Sequence, residues 1–417
     1  MDSFLIEGGH RLEGEVKISG AKNAALPIMA GTLLAPGVFT LRNVPSLADV
    51  RTMGHVLRVL GAAIEHHDHS MTIDTTNARY HEAPYELVKT MRASVCVLGP
   101  TLARLGRARV SLPGGCAWGP RPVDFHIRAM KDLGASVDIE HGYIVAESER
   151  LKGATIHFET SSVGATENAM MAATLADGRT VIENAAREPE IGALADFLRA
   201  MGASVQGDGT GTIVVEGSDE LHPADVEVIP DRIETGTFMV AIAMTGGDVL
   251  MRGARLDHAG AVAMKLREAG TEIAEEDGGV RVRGPVWARA VNVTTAPYPG
   301  FPTDMQAQFM ALMAVSDGSA VITETIYSDR FSHVPELRRL GADISLDRNI
   351  AVVTGIRKLS GAKVMATDLR ASAALILAGL VSEGETEISR VYHIDRGYEA
   401  IEEKLGALGA KVTRVRE

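Results

Sequence analysis

The stretch ALILAGLVSEG, residues 374–384, is apolar on every side of a helical wheel and closes on a glycine. A helix with no face fit for water is normally buried all round. Five further stretches share the pattern: AALPIMAGTLLAPG (24–37), ASVCVLGPTLARLG (93–106), NAMMAATLADG (168–178), FMVAIAMTGG (238–247) and FMALMAVSDG (309–318). Six such helices predict interiors made of helix, wrapped by strands and by more polar helices.

Outward from these stretches a second signal recurs, a helix stop of the Leu/Met-Gly-Ala kind followed by a strand. Its glycines are Gly61, Gly134, Gly202, Gly270, Gly341 and Gly409, at intervals of 73, 68, 68, 71 and 68 residues. Short runs such as VFTLRNV, RTVIENA and TEISRVY follow the apolar helices and alternate as half-buried strands do. Each repeat therefore reads strand, apolar helix, strand, amphipathic helix and a two-stranded hairpin. The expected fold is α/β, with six βαβαββ repeats, three to a domain. An extended VEVIP segment stops at Ile229-Pro230 before DRIETG, which places a boundary there. The last repeat reaches residue 417 without its closing strands, while residues 1–21 offer SFLIEGG and GEVKISG unmatched. The expected domains are residues 22–229, and residues 1–21 together with 230–417.

Composition narrows the function. The chain has 417 residues, 46% of them hydrophobic, and a formal charge of -12. That balance argues against nucleic-acid binding by phosphate neutralisation. Two cysteines make no disulfide framework and suit a reducing cytosol. The start, MDSFLIEGGHRLEGE, lacks a basic and an apolar signal region. The longest apolar stretch, residues 371–381, falls short of the roughly 20 residues of a membrane span. A cytoplasmic protein without membrane or nucleic-acid partners is expected.

Equivalent positions of a repeat lie at the same end of the structure, so functional residues can be sought by phase. The apolar helices begin at Lys22-Asn23, Arg92, Ser161 to Gly164, Asp231-Arg232, Asp304, and Asp368 with Arg370. Helix N-termini present unpaired amides that suit phosphate. The loops before the amphipathic helices each hold an arginine: Arg42, Arg121, Arg187, Arg255, Arg330 and Arg396. Taken singly, each is most simply a solvated loop residue. Shared phase favours a basic cleft between two facing domains, with bidentate donors for phosphate and carboxylate.

Nucleotide-loop fingerprints are missing, and Gly207 to Gly211 fits a hairpin turn. His66, His67 and His69 read as a polar loop rather than a metal site. Cys96 reads as a small packed hydrophobe. Cys116 lies in the glycine-rich loop 113–121, where a nearby arginine would lower a thiol pKa, and an incidental cysteine is the even alternative. Asp304 in FPTDMQAQ is either a helix cap or a general base.

The segments GAKNAALPIMA, TMRAS, LPGGC, RPVD, SVGATEN, AAREPEI, DRIETGTF, FPTDMQAQ, RFSHVPEL, TDLRASAAL and HIDRGYE, in this order over the whole chain, closely resemble the UDP-N-acetylglucosamine 1-carboxyvinyltransferase family of enolpyruvyl transferases. The resemblance implies a two-domain inside-out α/β barrel, helices inside and strands outside, with the active site in the interdomain cleft. It implies transfer of the enolpyruvyl group of phosphoenolpyruvate to the 3′-hydroxyl of UDP-N-acetylglucosamine, an early step of peptidoglycan synthesis. Lys22, Arg121 and Arg396 would hold phosphoenolpyruvate, with Asn23 beside it and facing the sugar together with Asp304. Cys116 would be the mobile-loop acid, the residue that fosfomycin alkylates in the family, and Asp304 the base. Arg92, Arg121, Pro122, Val123, Asp124 and Phe125, with Ser162, Val163, Gly164 and Ile326, would line the nucleotide. Arg232, Arg330, Asp368 and Arg370 would be cleft residues. Trp118 and Pro120 stand where an aliphatic and a small residue are usual, and Thr160 where some members have lysine. Neither a metal nor an organic cofactor is implied, since clustered guanidinium groups can clamp phosphate. The rival readings are a 3-phosphoshikimate enolpyruvyl transferase, a non-catalytic UDP-sugar-binding paralogue and a repeat-built interaction protein.

Overall fold

The computed structural model describes residues 2–112 and 123–416. Expectations placed on Cys116, Trp118, Pro120, Arg121 and Pro122 lie outside the described residues. The chain divides into two compact units: Gly20–Ile229, the inserted unit, and Met1–Ser19 with Pro230–Glu417, the terminal unit.

Each unit is built round three apolar helical segments. In the terminal unit these are Arg232–Thr245, Gln306–Met313 and Leu369–Val381, and they pack on one another. Burial is continuous: every residue from Ile233 to Ala243, from Gln306 to Met313 and from Arg370 to Leu380 is buried. Small residues allow the close approach. A Cβ on Gly236 would stand 3.0 Å from the end of the Met305 side chain, so a larger residue there would force Met305, just ahead of Gln306–Met313, to shift. The inserted unit uses Lys22–Gly31, Leu98–Leu105 and Val163–Ala173. Its second segment departs from the expected single helix, because Arg92–Val97 is a 3-10 helix. Pro100 has no N–H and sits in the first turn of Leu98–Leu105, the place where an α-helix tolerates proline, so the α-helix starts there and not earlier.

Around the helices stand six four-stranded sheets, three per unit among the described residues. In each, one outer strand runs parallel to its neighbour and the rest are antiparallel. Val226–Glu227, from the end of the inserted unit, pairs with Val38–Arg42 near its start and closes the ring. In the terminal unit Glu13–Lys17 pairs in parallel with Asp248–Arg252. Ser3–Glu7 runs antiparallel to both Glu385–Ser389 and Lys411–Val415, with Ser3 opposite Ser389 and Val415. The sixth hairpin is thus split between the two ends of the chain.

The six stop glycines all have positive φ, between 88° and 104°, the left-handed conformation that a helix end needs and that glycine adopts without strain. His66 and His67 lie on the strand Ala63–His67, not in a loop, and no described group of three His, Cys, Asp or Glu is placed to hold a metal. No helix among the described residues is long and apolar enough to cross a membrane.

Candidate functional site

In the terminal unit, three inner helical segments begin with aspartates that behave differently. Asp231 Oδ1 accepts from the backbone N–H of Ile233 at 2.7 Å and of Glu234 at 3.1 Å. Asp368 Oδ1 accepts from the N–H of Arg370 at 2.8 Å and of Ala371 at 3.1 Å. Both are ordinary caps. Asp304 is not, which corrects the cap expectation: it lies inside the 3-10 turn Thr303–Met305 and turns its carboxylate to two arginines. Arg330 Nη1 stands 2.8 Å from Oδ1; Arg370 donates to Oδ2 from Nη2 at 2.8 Å and from Nε at 3.1 Å.

The guanidinium groups are nearly enclosed, with side-chain exposures of 8% for Arg330 and 5% for Arg370, whereas Asp304 keeps 28%. Burial alone would push the Asp304 carboxyl up; Arg370, then Arg330, hold it well below the usual carboxylate range. Asp304 is therefore an anion at neutral and mildly acidic pH, held from behind and open on one side. Its backbone is held too, since Gln308 Nε2 donates to the Asp304 carbonyl at 2.9 Å. The Arg370 guanidinium lies 5.5 Å from the Tyr398 ring centroid, and the Tyr398 hydroxyl is 2.8 Å from Thr237 Oγ1.

Asp368 is tied back by its second oxygen, which accepts from Ser332 Oγ at 3.0 Å. Next to Ser332, His333 is pushed down to about 4, chiefly by burial, with Asp368 opposing and the Arg330 charge adding to the fall. Arg396, half-buried at the end of Val391–Arg396, and Asp368 both bear electrostatically on His393. Arg232 lies over the Tyr298 ring at 5.6 Å and lines a cavity of about 70 Å³ with Asp257, His258 and Pro302. Ile326 is half-buried in the loop after Ser319–Thr323.

In the inserted unit, Lys22 opens the helix Lys22–Gly31, and its Nζ is 3.2 Å from Asp49 Oδ2 in the first turn of Ala48–Val59. Asn23 follows, half-buried. Asp124 starts the helix Asp124–Asp132 and is exposed; Val123 and Phe125 pack on the core, Phe125 edge-on to Phe158 at 5.9 Å. Ser162 caps Val163–Ala173, its Oγ accepting from the Ala165 N–H at 3.4 Å.

His126 locks these two helix starts together. Asn168 Nδ2 donates to its Nδ1 at 2.9 Å and to the Val95 carbonyl at 2.9 Å. A Cβ on Gly164 would come within 3.3 Å of the His126 ring, so glycine there lets the helix start lie against the imidazole. Burial, and then the Arg92 charge, push His126 down to about 4, and a neutral ring is what the Asn168 donor requires. Cys96 is buried as expected, yet it has a polar partner: its Sγ donates to Glu167 Oε2 at 3.7 Å. Burial and the neighbouring Glu190 raise the Glu167 pKa well above the ordinary carboxyl range.

Repeat phase located helix starts better than it located arginine duties. Arg330 is buried against Asp304, but Arg42 and Arg255 are exposed and paired with Asp225 at 2.9 Å and Asp257 at 2.6 Å. Arg187, also exposed, donates to the Gly209 carbonyl at 3.2 Å. Sequence reasoning missed Asp49, His126, Asn168, Ser332 and Tyr398, whose partners are all distant in the chain.

Residues 6–405 match the family model described as EPSP synthase (3-phosphoshikimate 1-carboxyvinyltransferase). The chain is 58% identical over 418 residues to the UDP-N-acetylglucosamine 1-carboxyvinyltransferase of Trichlorobacter lovleyi, covering 100% of each. It is 58% identical over 417 residues to the protein of that name from Geobacter metallireducens, again covering 100% of each. Among solved structures, the enolpyruvyl transferase NikO from Streptomyces tendae is similar, with a TM-score of 0.90, 27% identity and coverage of 99% of this chain and 98% of that one.

Proposed function

We propose that this chain, which belongs to the enolpyruvyl transferase family, moves the enolpyruvyl group of phosphoenolpyruvate to the 3′-hydroxyl of UDP-N-acetylglucosamine and releases phosphate. The observation that carries the reading is full-length identity of 58% to curated relatives bearing that activity in their name. The clamped Asp304 supports it, because the reaction needs an ionised group at an incoming hydroxyl.

The chemistry is addition followed by elimination. Protonation at the methylene of phosphoenolpyruvate leaves a cationic carbon; the sugar oxygen bonds to that carbon and gives up its proton; a methyl proton and phosphate then leave the tetrahedral adduct. Asp304, held far below ordinary carboxylate basicity, is too weak a base for a free alcohol. It suits an alcohol already bonding to a cation, whose oxygen has become strongly acidic, so proton transfer to Asp304 follows carbon–oxygen bond formation. Cys116 would be the general acid at the methylene. Lys22, Arg121 and Arg396 would stabilise the phosphate and carboxylate charge, which is where fixed cations contribute most. Asn23 would orient the sugar. Arg92, Pro122, Val123, Asp124, Phe125, Ser162, Val163, Gly164 and Ile326 would line the nucleotide, and Arg232 would lie near the substrates. The cellular role that follows is the first committed step of peptidoglycan synthesis in the cytoplasm, with Cys116 open to alkylation by fosfomycin.

Replacing Asp304 tests the reading. Asp304→Ala is expected to lower phosphate release from the two substrates at least a hundredfold, as loss of a general base does, while calorimetry still detects UDP-N-acetylglucosamine. Unchanged turnover would remove Asp304 from the mechanism.

A further inference from the structure

Glu324 is fully buried, and among the described residues its side-chain hydrogen-bond partners are two threonine hydroxyls and two backbone N–H groups, none of them charged. Burying a carboxylate is costly unless each oxygen is satisfied, so its four donors define what it is for. Oε1 accepts from Thr295 Oγ1 at 2.8 Å and from the backbone N–H of Ile326 at 2.8 Å and of Tyr327 at 3.0 Å. Oε2 accepts from Thr303 Oγ1 at 2.9 Å. The two oxygens thus face different parts of the candidate site. One pins the loop that carries Ile326. The other runs through the Thr303 hydroxyl, which accepts from Arg330 Nη1 at 2.9 Å, to the guanidinium whose same nitrogen is 2.8 Å from Asp304. The Glu324 backbone is fixed as well, its N–H donating to the Asn349 carbonyl at 2.8 Å and its carbonyl accepting from Asn349 Nδ2 at 2.9 Å.

We propose that Glu324 is a positioning residue that sets the orientation of Asp304, through Thr303 and Arg330, and the position of the Ile326 loop, through two backbone N–H groups. The proposal rests on the reading of Asp304 as the proton acceptor and of Ile326 as a nucleotide contact. Asp304 is met by one nitrogen of the Arg330 guanidinium, and the Thr303 hydroxyl gives that same nitrogen a second, fixed acceptor. The Thr303 hydroxyl, donating to Glu324 and accepting from Arg330, can occupy one orientation only, so the chain of bonds has a fixed direction. Misplacing a reacting group by a fraction of an ångström lowers the chemical step without touching remote binding contacts.

The two oxygens can be cut separately. Thr303→Val removes the path to Arg330 and leaves the Ile326 and Tyr327 amides bound. It is expected to lower kcat about tenfold, to leave KM for UDP-N-acetylglucosamine within about twofold, and to unfold at the parent temperature; Thr303→Ser, keeping the hydroxyl, should restore kcat. Glu324→Gln disturbs both paths and is expected to move kcat and KM together. Parent kcat in Thr303→Val, or equal losses in Thr303→Val and Thr303→Ser, would overturn the proposal. A parent protein that releases no phosphate from the two substrates would instead overturn the functional reading on which it rests.

Discussion

At the residue scale, what decides Asp304 is charge from far along the chain. Its partners Arg330 and Arg370 stand 26 and 66 residues away, so a helix-start aspartate that reads as a cap turns out to be a clamped anion. The same distance hides His126 and His333. His333 lies within RFSHVPEL, but nothing local in the sequence marks either ring as enclosed; both are buried, and burial pushes each down to about 4 from 6.5. Their pKa is depressed on folding, so between 6.5 and 4 the unfolded chain binds a proton that the folded one refuses. The stability they contribute is complete above 6.5 and is lost as the pH falls towards 4. Each is worth on the order of 3 kcal/mol across that window. We expect His333→Gln to cut the loss of denaturant stability between pH 7 and pH 5 by about 2 kcal/mol relative to the parent, and an unchanged pH slope would show that His333 is protonated in the folded protein.

At the element scale, the inner helices were readable because they lack a polar face, and burial on all sides follows from that alone. The stop glycines were readable because a left-handed residue at a helix end has few alternatives to glycine. The 3-10 starts at Arg92–Val97 and Thr303–Met305 were not, since their neighbours and not their composition select them. Glu324 and Thr303 escaped for the same reason: in sequence they are a strand-end acid and a helix-start hydroxyl, and the bond between them appears only once strand and helix pack. The inner helices also set stability. Leu375 is fully buried on Leu369–Val381, so Leu375→Ala should cost about 2–5 kcal/mol in chemical denaturation, through lost transfer energy and the cavity left behind. A cost under about 1 kcal/mol would mean that the trio repacks as a liquid-like core would.

At the scale of the whole molecule, one repeat used six times places helix starts at equivalent ends of each unit, and each start has since taken its own chemistry. Ser162, Asp231 and Asp368 cap; Lys22 pairs with Asp49; Asp304 faces two arginines. The fold explains where charge can gather, whereas the choice of substrate lies in individual side chains. The claim that the rest depends on is therefore the identity of the acceptor. The direct measurement is phosphate release by the purified protein from phosphoenolpyruvate, with UDP-N-acetylglucosamine or shikimate 3-phosphate as the only acceptor. Release with UDP-N-acetylglucosamine alone is the predicted result; release only with shikimate 3-phosphate, or with neither, would contradict it.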